Sequence, residues 1–261
     1  MHRRTFTHER APAYKVGGKE QKPHLRAKAY QLVNLAYCTI GSFYKIPISH
    51  LTLEQVHARR HFMYLFEQYA TRDINTIPGD ELVSALWRMG KYIDEFFFFG
   101  SLTRRLQITL MDSLPSGFER GRSYSGGGEW GSCTWEVELA RRKRAHRGPC
   151  TCIRTWSLVE LVSTLAHEMI HGFFHMFACR CVACRMDDVE GHGLTIGFHG
   201  RVFLVFSAAV VEQMAIWLDA FRDELHSDDF LCLMRNYRMA RKRSAQQVEG
   251  KRSGNGSGWK G

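Results

Sequence analysis

The chain has 261 residues, 44% of them hydrophobic and 24% charged, with a formal net charge of +10. That apolar content excludes an intrinsically disordered chain, and the length allows one sizeable core with tails or two small domains. The charge is segregated: residues 1–30 carry +6 and 235–261 carry +7, which leaves −3 on 31–234. The basic ends could hold nucleic acid or an acidic partner, with a solvated, flexible end as the commoner outcome.

Residues Met1 to Arg10 lack the apolar segment of a signal peptide, and the longest apolar run, Val202 to Val211, is about half the length of a membrane-spanning helix. The expectation is a soluble intracellular protein with no membrane partner. Its eight cysteines are then candidates for metal binding or burial before disulfides.

In chain order, residues 1–23 mix Gly, Lys and Pro without periodicity and read as a disordered basic arm. From Leu25 the pattern turns helical, with Leu32, Leu35, Ala36 and Thr39 on one stripe that ends near Gly41. Thr52-Leu53-Glu54-Gln55 has the form of a capping box and opens a second helix through Val56, Phe62, Leu65, Phe66 and Tyr69. A third follows Pro78 with Leu82, Leu86, Met89, Ile93 and Phe96, closing at Phe96-Phe97-Phe98-Phe99-Gly100, where Gly100 suits the C-cap. Strands are expected at Leu106 to Leu110 and Cys133 to Leu139, with a weaker one within Phe118 to Tyr124. Arg141-Arg142-Lys143-Arg144 opens a basic loop that ends at Cys150-Thr151-Cys152. A second capping box, Ser157-Leu158-Val159-Glu160, starts a strong amphipathic helix, residues 178–192 read as a loop, and Leu194 to Leu225 read as a long final helix. The tail 235–261 reads as disordered and basic. The fold expected is α+β: one domain over 24–230 with its core at about 80–225, an N-terminal helical extension and a short sheet.

The capped helix carries His167-Glu168-Met169-Ile170-His171. Residues four apart share one helical face, so both imidazoles can reach one zinc ion with Glu168 beside them as the acid/base. A catalytic zinc usually takes three protein ligands and keeps a fourth position for water. His192, in Gly191-His192-Gly193, is the preferred third ligand, Glu190 the second choice and Glu212 a more distant one. His175 lies too far along the helix from His167 to share the ion.

The pentad, the Gly191-His192-Gly193 element, the segment Ile93 to Leu102 with its aromatic pair and glycine, and the strand Cys133 to Leu139 together resemble the SprT-like family, the Spartan type of zinc metalloprotease domain. Order and spacing agree over about residues 80–205. The resemblance implies a zincin-like domain, Zn2+ held by His167, His171 and His192, Glu168 as catalytic acid/base, and hydrolysis of peptide bonds in intracellular, DNA-associated proteins. It also implies a nuclear setting in DNA repair. The aromatic anchor expected after the third histidine is Ile196 here, and nothing after residue 225 looks like the zinc-ribbon or clamp-binding motifs of some relatives.

An extended substrate is expected to pair with the edge of the strand around Trp135. DNA or chromatin is a candidate partner through the basic tails and Arg141 to Arg144, with a solvated surface as the plainer alternative. Cys179, Cys181 and Cys184, with Cys150 or Cys152, offer a second zinc site, although buried free thiols are the commoner outcome. Two rival readings are a catalytically inactive, zinc-stabilised binding module and a DNA-binding adaptor acting through its tails.

Overall fold

The computed structural model describes residues 25–27, 29–115, 120–126, 134–144, 153–179, 181, 184 and 199–222. The arm 1–23 and the tail 235–261 lie outside them, as do Glu190, His192, Cys150 and Cys152.

Both capping boxes form where the sequence puts them. Thr52 accepts the Gln55 backbone N–H and the Gln55 side chain accepts that of Thr52, opening helix α2, Leu53–Ala70. Ser157 and Glu160 do the same for helix α4, Leu158–Phe177, and so satisfy amides that an uncapped N-terminus leaves unpaired. Helix α1 is Leu32–Ile40, and its buried residues are the predicted stripe Leu32, Leu35, Ala36 and Thr39. It starts later than Leu25, because Tyr30 runs as an extended bridge to Ala178, bonding Phe177 and Cys179 through its backbone.

Helix α3 is Gly79–Phe97. Its end is more elaborate than a glycine cap: Phe99 and Gly100 both take left-handed φ, 61° and 64°, and the Asp94 carbonyl accepts the N–H groups of Phe98 and Gly100. The fully buried Asp94 carboxylate accepts the Leu102 and Thr103 amides and the Thr103 hydroxyl. These bonds replace the water that a buried carboxylate loses and fix the turn into the sheet.

Strands β1, Leu106–Met111, β2, Gly121–Ser125, and β3, Trp135–Ala140, form one sheet in the order β1-β3-β2. β1 lies parallel to β3 with Leu106 opposite Trp135, and β2 lies antiparallel with Ser125 opposite Trp135. Strand β3 is thus the centre of the sheet, hydrogen-bonded on both sides. The edge expected around Trp135 is closed, and β1 and β2 are the outer strands, each with no further strand beside it among the described residues. The basic segment expected as a loop also pairs: β4, Arg142–Arg144, lies antiparallel to β5, Ile153–Thr155. Arg141 turns inward and donates to the Ile77 carbonyl at 3.2 Å.

Helix α5, Arg201–Trp217, is shorter than the run to Leu225 suggested. Leu218 is extended, and the chain turns there to seat Phe221 against Phe62 and Phe66, with ring centroids 6.3 and 5.1 Å apart. Among the described residues no helix is long and apolar enough to cross a membrane.

Helix α4 runs through the middle, packed by β2 and β3 on one side and by α3 and α5 on others. Its buried set wraps most of its circumference, as expected of a helix enclosed by other elements. Two close approaches seat it on the sheet. A Cβ on Gly172 would lie 2.8 Å from the Trp135 indole, and one on Gly121 would lie 2.6 Å from the Thr164 methyl. The indole is itself fixed, since its Nε1 donates to the Glu168 carbonyl at 2.9 Å.

Gly172→Ala tests this seating by its sign. In an ordinary helix interior the change gains about 1 kcal/mol, whereas overpacking costs about 1–3 kcal/mol. The expected result in urea unfolding is a net loss of stability for Gly172→Ala; a gain would contradict the close indole contact.

Candidate metal centre and active site

His167 and His171 stand one turn apart on α4, with ring centroids 5.0 Å apart. The side chain that joins them is His199. Its Nε2 lies 3.0 Å from Nε2 of His167 and 3.1 Å from Nε2 of His171. His199 is the residue just before Gly200, the N-cap of α5, so the start of that helix delivers it over α4. Phe203, one turn later, packs against all three rings and stacks on His171 with centroids 4.3 Å and planes 22° apart. It forms an apolar floor to the cluster.

The donor set fits a metal better than it fits mutual hydrogen bonding. A neutral imidazole carries one N–H and one acceptor nitrogen, so the His199 Nε2 facing two other Nε2 atoms cannot form a good linear bond to both. Zinc at about 2.0–2.1 Å from each nitrogen in tetrahedral geometry would hold them about 3.4 Å apart, a few tenths of an ångström wider than found. Protonation is disfavoured throughout. Burial, then the neighbouring imidazoles and Arg120, hold His167 well below the usual range. Burial and His199 bring His171 down to about 3, and burial lowers His199. Neutral imidazoles are the form that binds a metal.

Glu168, on the same helix, is buried and accepts a short hydrogen bond from the Ser123 hydroxyl of β2. The edge strand therefore positions the carboxylate beside the histidines. On the opposite face of the sheet, Arg122 and Tyr124 both bond Glu138, at 2.6 and 2.8 Å, which keeps β2 on β3.

Of the residues singled out in the sequence, His167, Glu168 and His171 come together, while His192 and Glu190 lie outside the described residues. Glu212 is elsewhere, accepting from the Tyr44 hydroxyl and pairing with Lys45 at 3.7 Å. His175 packs on Trp135, its ring centroid 5.1 Å away. His199 and Ser123 were missed. The signal for His199 was the departure at Ile196: seven residues on, His199-Gly200-Arg201-Val202-Phe203 repeats the histidine-glycine pair with an aromatic in the anchoring place. Comparison with protein-family models, curated proteins and solved structures finds no match.

Two measurements follow from the cluster. His199→Ala should lose bound zinc on dialysis at neutral pH while His192→Ala keeps it; the reverse pattern of metal content would remove His199 from the site. The second concerns acid. A native pKa below the unfolded value of 6.5 means that the unfolded chain takes up protons first as pH falls. Stability from the neutral histidines is therefore present above about pH 6.5 and lost below it. In metal-free protein the unfolding free energy should fall between pH 6.5 and 5, by up to about 1.4 kcal/mol per pH unit for each such histidine. His171→Gln should have the shallower slope, and equal slopes would show that the ring is not buried neutral.

Proposed function

We propose that this chain is a zinc-dependent metalloendopeptidase of the SprT-like type, hydrolysing peptide bonds of intracellular, DNA-associated proteins. The observation that carries the reading is the convergence of three imidazole Nε2 atoms next to a buried glutamate that an edge strand holds in place. The sequence resemblance, which includes the segment now seen as the left-handed turn at Phe99 and Gly100, supports the family and its substrate class.

His167, His171 and His199 would hold the zinc. Bound there, zinc supplies Lewis acidity, polarising a carbonyl and making water a nucleophile near neutral pH. Glu168 takes a proton from the attacking water on its carboxylate and returns it to the leaving amine nitrogen, so the peptide C–N bond breaks with protons conserved. Ser123 donates to Oε2 of Glu168 and limits the rotation of the carboxylate. Gly172 and Trp135 set the depth of the helix against the sheet, and Phe203 keeps bulk water from the underside of the rings.

Substrate positioning falls to β2. No further strand lies beside it among the described residues, and of the two outer strands it is the one that carries Ser123, so an extended peptide added there gains main-chain hydrogen bonds next to that residue. This places the peptide beside Glu168 without disturbing β3.

Glu168→Gln should retain zinc and lose at least about a hundredfold in turnover of a denatured protein or protein–DNA conjugate. Ser123→Ala should lower kcat about tenfold with zinc content unchanged, by freeing the carboxylate. Wild-type protein that holds zinc yet leaves both substrates intact would favour a binding module over an enzyme.

A further inference from the structure

Three other metal-binding side chains meet beyond the end of α4. The Sγ atoms of Cys179, Cys181 and Cys184 all lie within 4.8 Å of one another, and none is in a disulfide. Cys184 is buried and the other two are half-buried. We propose that these three thiols hold a second, structural ion of the thiophilic class, zinc being the expected one, separate from the three-histidine centre.

Geometry and chemistry agree on this. Zinc at about 2.3 Å from each sulfur in tetrahedral geometry sets sulfurs about 3.8 Å apart, so the cluster closes on an ion with small side-chain shifts. The Cys181 backbone N–H points at Cys179 Sγ at 3.4 Å, and such an amide stabilises a thiolate ligand. Cys179 is pinned from behind, its N–H donating to the Tyr30 carbonyl at 2.7 Å within the bridge that ties the start of the chain to the end of α4. A disulfide would use two of the sulfurs and strand the third. One cation satisfies all three, as three thiol protons leave to solvent and three metal–sulfur bonds form with no change of oxidation state. The fourth position is open to water or a further side chain.

The placement also gives the ion a task. His171 and His199 are 28 positions apart, and the chain between them passes first through Cys179 to Cys184. An ion that closes this six-residue segment fixes the direction in which the connection leaves α4, and so reduces the number of residues over which the chain must return His199 to the rings. This role does not require the protein to be a peptidase.

The test uses full-length protein loaded with zinc and dialysed without reductant, then read by elemental analysis. About two zinc ions per chain are expected in the wild type, and about one in either C179S/C181S/C184S or H167A/H171A. Cobalt(II) loaded into H167A/H171A should show a near-ultraviolet sulfur-to-cobalt charge-transfer band that disappears when C181S is added. That spectrum holds the proposal to account even if the triple serine variant fails to fold. One zinc per chain in the wild type and the triple serine variant alike, or no sulfur-to-cobalt band in H167A/H171A, would overturn it. Loss of the second site with the first intact would leave the peptidase reading standing, and loss of the histidine site alone would leave this one.

Discussion

The seating of α4 on β3 is the constraint on which the rest depends. A helix enclosed by a sheet and other helices has little freedom to rotate, and the contact between Gly172 and the Trp135 indole, locked by the indole bond to the Glu168 carbonyl, fixes both its depth and its rotation. Once these are set, His167 and His171 must point toward the start of α5 and Glu168 toward β2. The same contact thus sets the direction of the two imidazoles and of the carboxylate. The capping box at Ser157 and Glu160 fixes where the helix begins, and with it the register of everything it carries.

Around that helix the site is assembled from elements far apart in sequence. Ser123 arrives on an edge strand, His199 on the residue that precedes α5, and Phe203 on the first turn of that helix. The buried Asp94 acts at a distance: by accepting the amides that follow α3 it sets the angle at which the chain enters β1, and β1 orders β3 by parallel pairing. The contacts of Ser123, His199 and Phe203 are made with side chains of α4 and lose their value if that helix shifts, so the arrangement is expected to be lost cooperatively rather than piecemeal.

What was legible in the sequence was what local rules control. The two capping boxes, the stripes on α1 and α3 and the alternation at Leu106 to Leu110 have physical causes contained within a few residues, and those elements stand where the spacing puts them. The shared face of His167 and His171 is likewise a property of any helix. Sheet order was not legible, because alternation reports a buried face and not which neighbours pair, and the strand expected to offer an edge at Trp135 is the central one, β3. The return of His199 to the rings depends on a chain reversal that spacing cannot predict. Arg142 to Arg144 looked like a solvated basic loop because charge masks β pairing, which is a backbone interaction indifferent to side-chain sign.

The proposed centre requires one ion between three particular imidazoles. The direct measurement is an anomalous difference map from crystals of the zinc-loaded protein, with data collected on either side of the zinc absorption edge. The expected peak is bonded to Nε2 of His167, His171 and His199, about 2.0–2.1 Å from each. A peak ligated by His192 or Glu190 in place of His199, or no peak between His167 and His171, would contradict it.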